Sequence, residues 1–223
     1  MDEGHAYYCH CTKEELEAQR ISQETNGRVF KYSGKCRGTG KEARKDAVIR
    51  FKVPEKRVAF TDEIRGKVEF DASLFGDIVI AKTLHEPLYN FSVVVDDEEM
   101  EITHVIRGED HLGNTPKQIL MQEALGFRVP TYAHLPLILA PDRSKLSKRV
   151  GEMDATIRTL REEGYLPEAI INFLTLLGWS TGDDKEIFSL EELEKIFDLD
   201  KIQKGGAIFN IQKLDWFNAH YIK

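Results

Sequence analysis

The feature that most restricts the fold is a change in the spacing of apolar residues near residue 150. Upstream of it, residues 47–53, 57–61, 66–70 and 77–82 are short runs rich in β-branched and aromatic residues, punctuated by Pro54, Gly66 and Gly76. Such runs predict a small antiparallel sheet. The continuous apolar stretches 91–95 and 102–106 predict buried parallel strands, and residues 135–139 predict another strand that leads into a charged loop. A helix is expected over 114–126, with Asn114 or Thr115 as cap and Pro116 in the first turn. Downstream, the apolar spacing becomes helical over 153–163, 167–177 and 190–197, the last opened by a Ser189/Glu192 capping box. The expected class is therefore α/β in front of an all-helical region.

The chain starts abruptly with an apolar strand over 4–9, followed by a helix over 13–24 that Thr12 and Glu15 cap and Asn26-Gly27 end. A Gly- and Lys-rich loop follows over 33–45. With 223 residues, 41% hydrophobic and 31% charged, the chain can bury one large core or two modest ones. The formal net charge of -7 excludes a generally basic nucleic-acid coat, so RNA contact would need a local cationic patch. No apolar run approaches the ~20 residues of a membrane-spanning helix, and the first residues lack a signal peptide's pattern. The expectation is a cytoplasmic protein with no membrane partner. Three cysteines at 9, 11 and 36 suit reduced thiols or a metal site better than a disulfide framework.

The chemistry is concentrated in Asp142-Arg143-Ser144-Lys145-Leu146-Ser147-Lys148-Arg149, placed directly after an apolar strand. Alone, such a string also describes a solvated basic loop. Its neighbours narrow the reading. Upstream stand Pro87-Leu88-Tyr89-Asn90-Phe91-Ser92-Val93-Val94-Val95-Asp96-Asp97 and Ile102-Thr103-His104-Val105-Ile106-Arg107-Gly108-Glu109-Asp110-His111, then Ala133-His134-Leu135-Pro136-Leu137. Downstream stand Gly164-Tyr165-Leu166-Pro167-Glu168-Ala169, Asn172 and Leu177-Gly178-Trp179. The lysine string resembles the KMSKS loop of class I aminoacyl-tRNA synthetases. In this order the whole set looks like the second half of the glutamyl-tRNA synthetase catalytic domain, over essentially the entire chain.

That resemblance implies a fold, an activity and a set of roles. Residues 1–83 would be an inserted acceptor-stem-binding α+β subdomain, 84–150 the second half of a Rossmann-like catalytic domain, and 151–223 the start of a helical stem-contact region. The implied activity is ATP-dependent activation of glutamate, with Mg2+ accompanying ATP, and transfer to tRNA(Glu), with tRNA(Gln) left open. Lys145 and Lys148 would neutralise the charge that builds on the leaving phosphates. Tyr89 and Arg107 would hold glutamate, an Arg fork being suited to a carboxylate; a structural pairing of Arg107 with Glu109 or Asp110 is equally open. Glu109 and Asp110 would contact the nucleotide, Leu137 and Ile138 would flank adenine, and His111 would be a positioning residue.

Cys9, Cys11 and Cys36 resemble a zinc knuckle found in some members, with Tyr32 as fourth ligand and His10 as its rival. Three unligated thiols are the alternative. The sequence departs from the family in two places. Leu84-His85 stands where an Asp-Gly pair is usual, and none of the seven histidines belongs to a His-Ile-Gly-His motif. The resemblance puts that motif before residue 1 and the anticodon-binding domain beyond the last residue, so little activity is expected from these residues alone; it also implies a monomeric parent enzyme. Two readings compete with it: an inactive tRNA- and substrate-binding module, and a glutamyl-Q tRNA(Asp) synthetase-like paralogue.

Overall fold

The computed structural model describes residues 1, 3–39, 46–146, 149–150, 153–154 and 156–222. They pack as two units: Met1–Thr61, Lys67–Val105 and Leu112–Thr131 form the first, and Asp62–Gly66, Ile106–His111 and Tyr132–Lys223 the second.

In the first unit β1 (Ala6–Cys9) alternates its burial, so that Tyr7 and Cys9 point inward. Helix α1 (Lys13–Thr25) starts at the expected capping box: the Thr12 hydroxyl accepts the Glu15 N–H at 3.2 Å, and the Glu15 carboxylate accepts the Thr12 N–H at 3.1 Å. Strands β2 (Val48–Phe51), β3 (Arg57–Asp62), β4 (Gly66–Asp71), β5 (Ile78–Thr83) and β6 (Glu86–Pro87) follow. The sheet order is β1-β2-β5-β6 and every neighbour is antiparallel. The expected antiparallel sheet is thus present, but β3 and β4 are not members of it.

The stretch 91–95, expected as a buried strand, lies instead within helix α2 (Tyr89–Glu99). Its run of valines has strand propensity, yet that preference is weak against packing. As a helix the segment buries Val94 and packs on a second helix, leaving Asp96, Glu98 and Glu99 exposed. Strand β7 (His104–Gly108) forms as expected but is partly exposed. Helix α3 (Thr115–Leu125) carries Pro116 in its first turn and ends at Gly126, whose φ of 70° no β-branched residue would adopt.

The expected strand 135–139 is divided. Strand β8 (Thr131–Leu135) and β9 (Ile138–Leu139) are separated at Pro136, which lacks an N–H for the ladder. In the second unit Asp62 pairs in parallel register with Tyr132. The backbone at β10 (Arg149–Val150) pairs with β11 (Met153–Asp154), so the helix expected from 153 begins only at Ile157. Thr156 supplies its cap, accepting the Thr159 N–H at 3.3 Å.

Helix α4 (Ile157–Glu162), α5 (Pro167–Gly178), α6 (Leu190–Ile196), β12 (Ala207–Ile208) and α7 (Ile211–Tyr221) complete the chain. Their apolar faces enclose Leu160, Ala169, Phe173, Phe209, Leu214 and Phe217, with Phe173 meeting Phe209 edge-on at 5.2 Å. Asn172, fully buried, is satisfied by Glu186 O, the Phe188 N–H and the Tyr221 hydroxyl. Strand β12 lies parallel to β9 and holds the segment that precedes the lysine loop. Gly206 allows this approach, because a Cβ there would sit 2.9 Å from Leu137 O.

Candidate active site and metal centre

The lysine loop is a hairpin. Leu146 N–H donates to Ile138 O at 2.9 Å, Ala140 N–H donates to Ser144 O at 2.9 Å, and Leu139 bridges Lys145. The turn is set by Asp142, whose carboxylate accepts the Ser144 N–H at 2.9 Å and the Ser144 hydroxyl at 2.6 Å, while Arg143 takes a left-handed φ of 66°. This geometry presents Lys145, whose Nζ lies 2.6 Å from Asp110 Oδ2. Lys145 holds the Asp110 carboxyl below the usual carboxylate range. Lys148 falls outside the described residues.

Asp110 and Glu109 occupy the turn that follows β7. Glu109 pairs with Arg65 at 2.7 Å and accepts the Leu137 N–H at 3.2 Å. The Leu137 amide and the Ile138 carbonyl therefore both have protein partners in this conformation. Arg107, on β7, donates from Nε to Nε2 of His134 at 3.2 Å and faces the Tyr132 ring at 5.5 Å. The second unit thus gathers Arg107, Glu109, Asp110, Leu137, Ile138 and Lys145 from the predicted set. Tyr89 belongs to the first unit, where it is the first residue of α2 and half-exposed.

Sequence reasoning assigned no role to three residues that organise this region, although His134 stands in one of the strings that carry the resemblance. Asp62 and His134 are buried and Arg65 half-buried beside them, with Asp62 accepting the His134 Nδ1–H at 2.5 Å and Arg65 donating to His134 O at 3.2 Å and to Lys204 O at 2.6 Å. The available signal was Thr61-Asp62-Glu63-Ile64-Arg65-Gly66, a turn carrying both signs of charge between two strands.

In the first unit the sulfurs of Cys9, Cys11 and Cys36 all lie within 4.8 Å of one another. The Tyr32 hydroxyl joins them, 3.3 Å from Cys9 Sγ and 3.4 Å from Cys11 Sγ, while Cys11 and Cys36 sulfurs are 3.7 Å apart. A tetrahedral zinc with bonds of about 2.3 Å to sulfur and about 2 Å to oxygen needs S···S near about 3.8 Å and S···O near about 3.5 Å. The Cys11–Cys36 separation and the two Tyr32 separations match these values, and the remaining sulfur pairs lie within 4.8 Å. Burial raises the Cys9 thiol, but its hydrogen bonds with Tyr32 and Arg50 outweigh this and bring the pKa down to about 7. Burial pushes the Cys11 thiol up to about 11. His10 is not in the cluster, although its buried Nδ1 has no hydrogen-bond partner among the described residues.

A buried carboxylate supports the cluster. Asp77 is gripped on both oxygens by Arg37 at 2.6 Å, accepts the Tyr7 hydroxyl at 2.5 Å and the Val53 N–H at 3.0 Å, and its own carbonyl accepts from Arg50 at 2.8 Å. Arg37 adjoins Cys36, and Arg50 stacks on the Tyr32 ring at 3.9 Å. Burial alone would raise the Asp77 carboxyl, but Arg37 and Tyr7 hold it below the ordinary range.

The family model for the catalytic domain of class I tRNA synthetases for glutamate and glutamine (E and Q) matches residues 1–216. The chain belongs to this family. Among relatives of this catalytic-domain family, a glutamate–tRNA ligase of Aquifex aeolicus is 54% identical over all of this chain and 49% of its own length. "Glutamate–tRNA ligase 2" of Thermoanaerobacter pseudethanolicus is 52% identical over all of this chain and 48% of its own. The crystal structure of a glutamate tRNA ligase from Elizabethkingia meningosepticum in complex with its amino acid superposes with a TM-score of 0.83 at 39% identity, covering 98% of this chain and 50% of that one. The chain spans about half the length of the curated relatives it matches. Its mixed α/β architecture is that of the class I catalytic domain. Among the described residues no helix is long and apolar enough to cross a membrane.

Proposed function

We propose that the protein containing this chain activates glutamate with ATP and transfers it to tRNA. The observation that carries the reading is the lysine hairpin, which brings the Lys145 ammonium to the turn at the carboxyl end of β7. Ligands of α/β sheets bind at the carboxyl ends of strands. In the first step a carboxylate oxygen of glutamate attacks the α-phosphorus of ATP. The bond to the bridging oxygen breaks and pyrophosphate leaves with its electron pair. Lys145, with Lys148, neutralises the charge that grows on the departing phosphates. In the second step a ribose hydroxyl at the tRNA end attacks the acyl carbon, and AMP departs.

Arg107 and Tyr89 take the glutamate, and Glu109, Asp110, Leu137 and Ile138 take the nucleotide, which arrives with Mg2+. The Leu137 amide must leave Glu109 if it is to serve adenine. Residues 1–83 approach the acceptor stem, 84–150 complete the nucleotide fold, and 151–223 begin the stem-contact helices. Cys9, Cys11, Cys36 and Tyr32 would hold one zinc ion, which supplies a crosslink between β1 and the loop after α1. The enzyme acts in the cytoplasm as a monomer on tRNA(Glu), with tRNA(Gln) as a second acceptor to be tested.

The test is pyrophosphate exchange by the whole protein that carries this sequence, with tRNA, ATP and each of glutamate, glutamine and aspartate. Exchange confined to glutamate supports the reading, and exchange that ignores the amino acid contradicts it. The sequence holds no His-Ile-Gly-His motif, which favours a second reading in which these residues alone bind substrate and RNA without activating either. Robust exchange by the isolated 223 residues excludes that second reading. Charging of an isolated modified nucleoside in place of whole tRNA would move the assignment to the glutamyl-Q paralogue.

A further inference from the structure

The carboxylate of Asp62 is engaged on both oxygens. Oδ1 accepts the backbone N–H groups of Ile64 at 3.0 Å, Arg65 at 2.8 Å and His134 at 3.2 Å. Oδ2 faces His134 Nδ1 at 2.5 Å, and neither side chain has any exposed surface. A fully ionised carboxylate accepts only, so the proton lies on Nδ1 of the ring. Arg107 in turn offers an N–H from Nε to the ring's Nε2 at 3.2 Å. A guanidinium cannot accept, so Nε2 must carry its lone pair. The two contacts are compatible with one state of His134 alone: a neutral ring with its proton on Nδ1.

We propose that Asp62 and His134 are positioning residues for amino-acid recognition, holding Arg107 by its Nε so that the Nη edge of the guanidinium takes a carboxylate of glutamate. The inference rests on the reading of Arg107 as a glutamate-binding residue and says how it is aimed. A neutral imidazole is a better holder for this purpose than a carboxylate. It fixes the guanidinium in place through a hydrogen bond and itself cancels none of its charge. Asp62 stands on the far side of that ring, where it serves to choose the tautomer. Tyr132 restricts the same group from its side: its ring faces the guanidinium and lies nearly parallel to the His134 ring, 15° apart at 6.0 Å. Tyr132 is itself buried, so this wall does not move with solvent.

The test is Asp62→Asn in the whole protein. Asparagine keeps the oxygen that accepts the three backbone N–H groups, but presents an N–H to the ring, which drives the proton to Nε2 and sets two donors against each other at Arg107. The expected result is a rise of about 10- to 100-fold in the KM for glutamate, with the KM for ATP held within about twofold. Nitrogen-15 NMR of His134 should show the proton moving from Nδ1 to Nε2. A moved proton with an unchanged glutamate KM overturns the inference. Arg107→Ala separates this from the parent reading: if that change leaves glutamate KM alone, Arg107 does not bind glutamate and both fall. If Asp62→Asn does not fold, His134→Gln, which retains an acceptor for Arg107, and His134→Leu, which does not, decide the matter. The inference expects leucine to raise the glutamate KM well above glutamine, and equal values overturn it.

Discussion

Lys145 Nζ lies 2.6 Å from Asp110 Oδ2, joining the returning arm of the lysine hairpin to the turn after β7. Both groups are open to solvent, with 60% of the lysine and 36% of the aspartate side chain exposed. Exposed pairs contribute little to folding. The pair is therefore expected to matter for the site and hardly at all for stability: Asp110→Asn should shift the unfolding free energy by no more than about 0.5 kcal/mol. Denaturant unfolding of the two proteins checks this, and a loss of several kcal/mol would make the pair a structural element.

His134 has a pH signature. Burial, aided by the positive charges of Arg107 and Arg65, lowers its pKa, with Asp62 opposing. In the unfolded chain the ring titrates near about 6.5. Below that value the unfolded state gains a proton that the folded state refuses, so stability falls as the pH drops from about 6.5, by at most about 1.4 kcal/mol per pH unit from this group. The Asp62 carboxyl, held low by the Arg65, His134 and Ile64 donors in spite of its burial, adds a second loss below about pH 4. Urea unfolding at pH 7 and 5.5 should show a smaller difference in His134→Gln than in the parent. Equal differences would mean that the ring is charged when folded.

The metal centre separates two candidate ligands. Tyr32 stands beside the thiols and His10 does not belong to the cluster. Native mass spectrometry should find one zinc per chain. Tyr32→Phe should weaken zinc retention against a chelator by about 10-fold or more, and His10→Ala should leave it unchanged. The reverse order would make His10 the ligand, and an absence of zinc from the parent would leave three thiols.

Asp77 tests the support beneath that centre. Its carboxylate is 1% exposed and Arg37, its partner, 38% exposed. Asp77→Asn removes the charge that holds Arg37 and should cost about 2–3 kcal/mol, less than the roughly 3–5 kcal/mol of a fully buried pair because Arg37 can reach water. Faster zinc loss should accompany it, since Arg37 follows Cys36 directly. A variant as stable and as zinc-tight as the parent would contradict the support role.

The sequence revealed elements whose signals are local. The boxes Thr12/Glu15 and Ser189/Glu192 start the helices they predict, because a cap needs only neighbours a turn away. The valines of 91–95 favour a strand, while the helix that forms there and buries Val94 packs on α3 and β5, which are distant in sequence. Of the candidate site, the lysine hairpin and the cysteines were legible as strings. The pairing of Asp62 with His134 was not, the two being 72 residues apart and joined only by the fold. Their partnership with Arg107 has no local pattern to betray it.

Replacement of Lys145 by alanine measures the central claim, that this ammonium neutralises phosphate charge as the adenylate forms. In the whole protein, Lys145→Ala is predicted to slow glutamate-dependent pyrophosphate exchange by roughly 100-fold or more while the Kd for tRNA stays within about twofold. Equal losses in exchange rate and in tRNA affinity would contradict the account and make Lys145 an RNA contact.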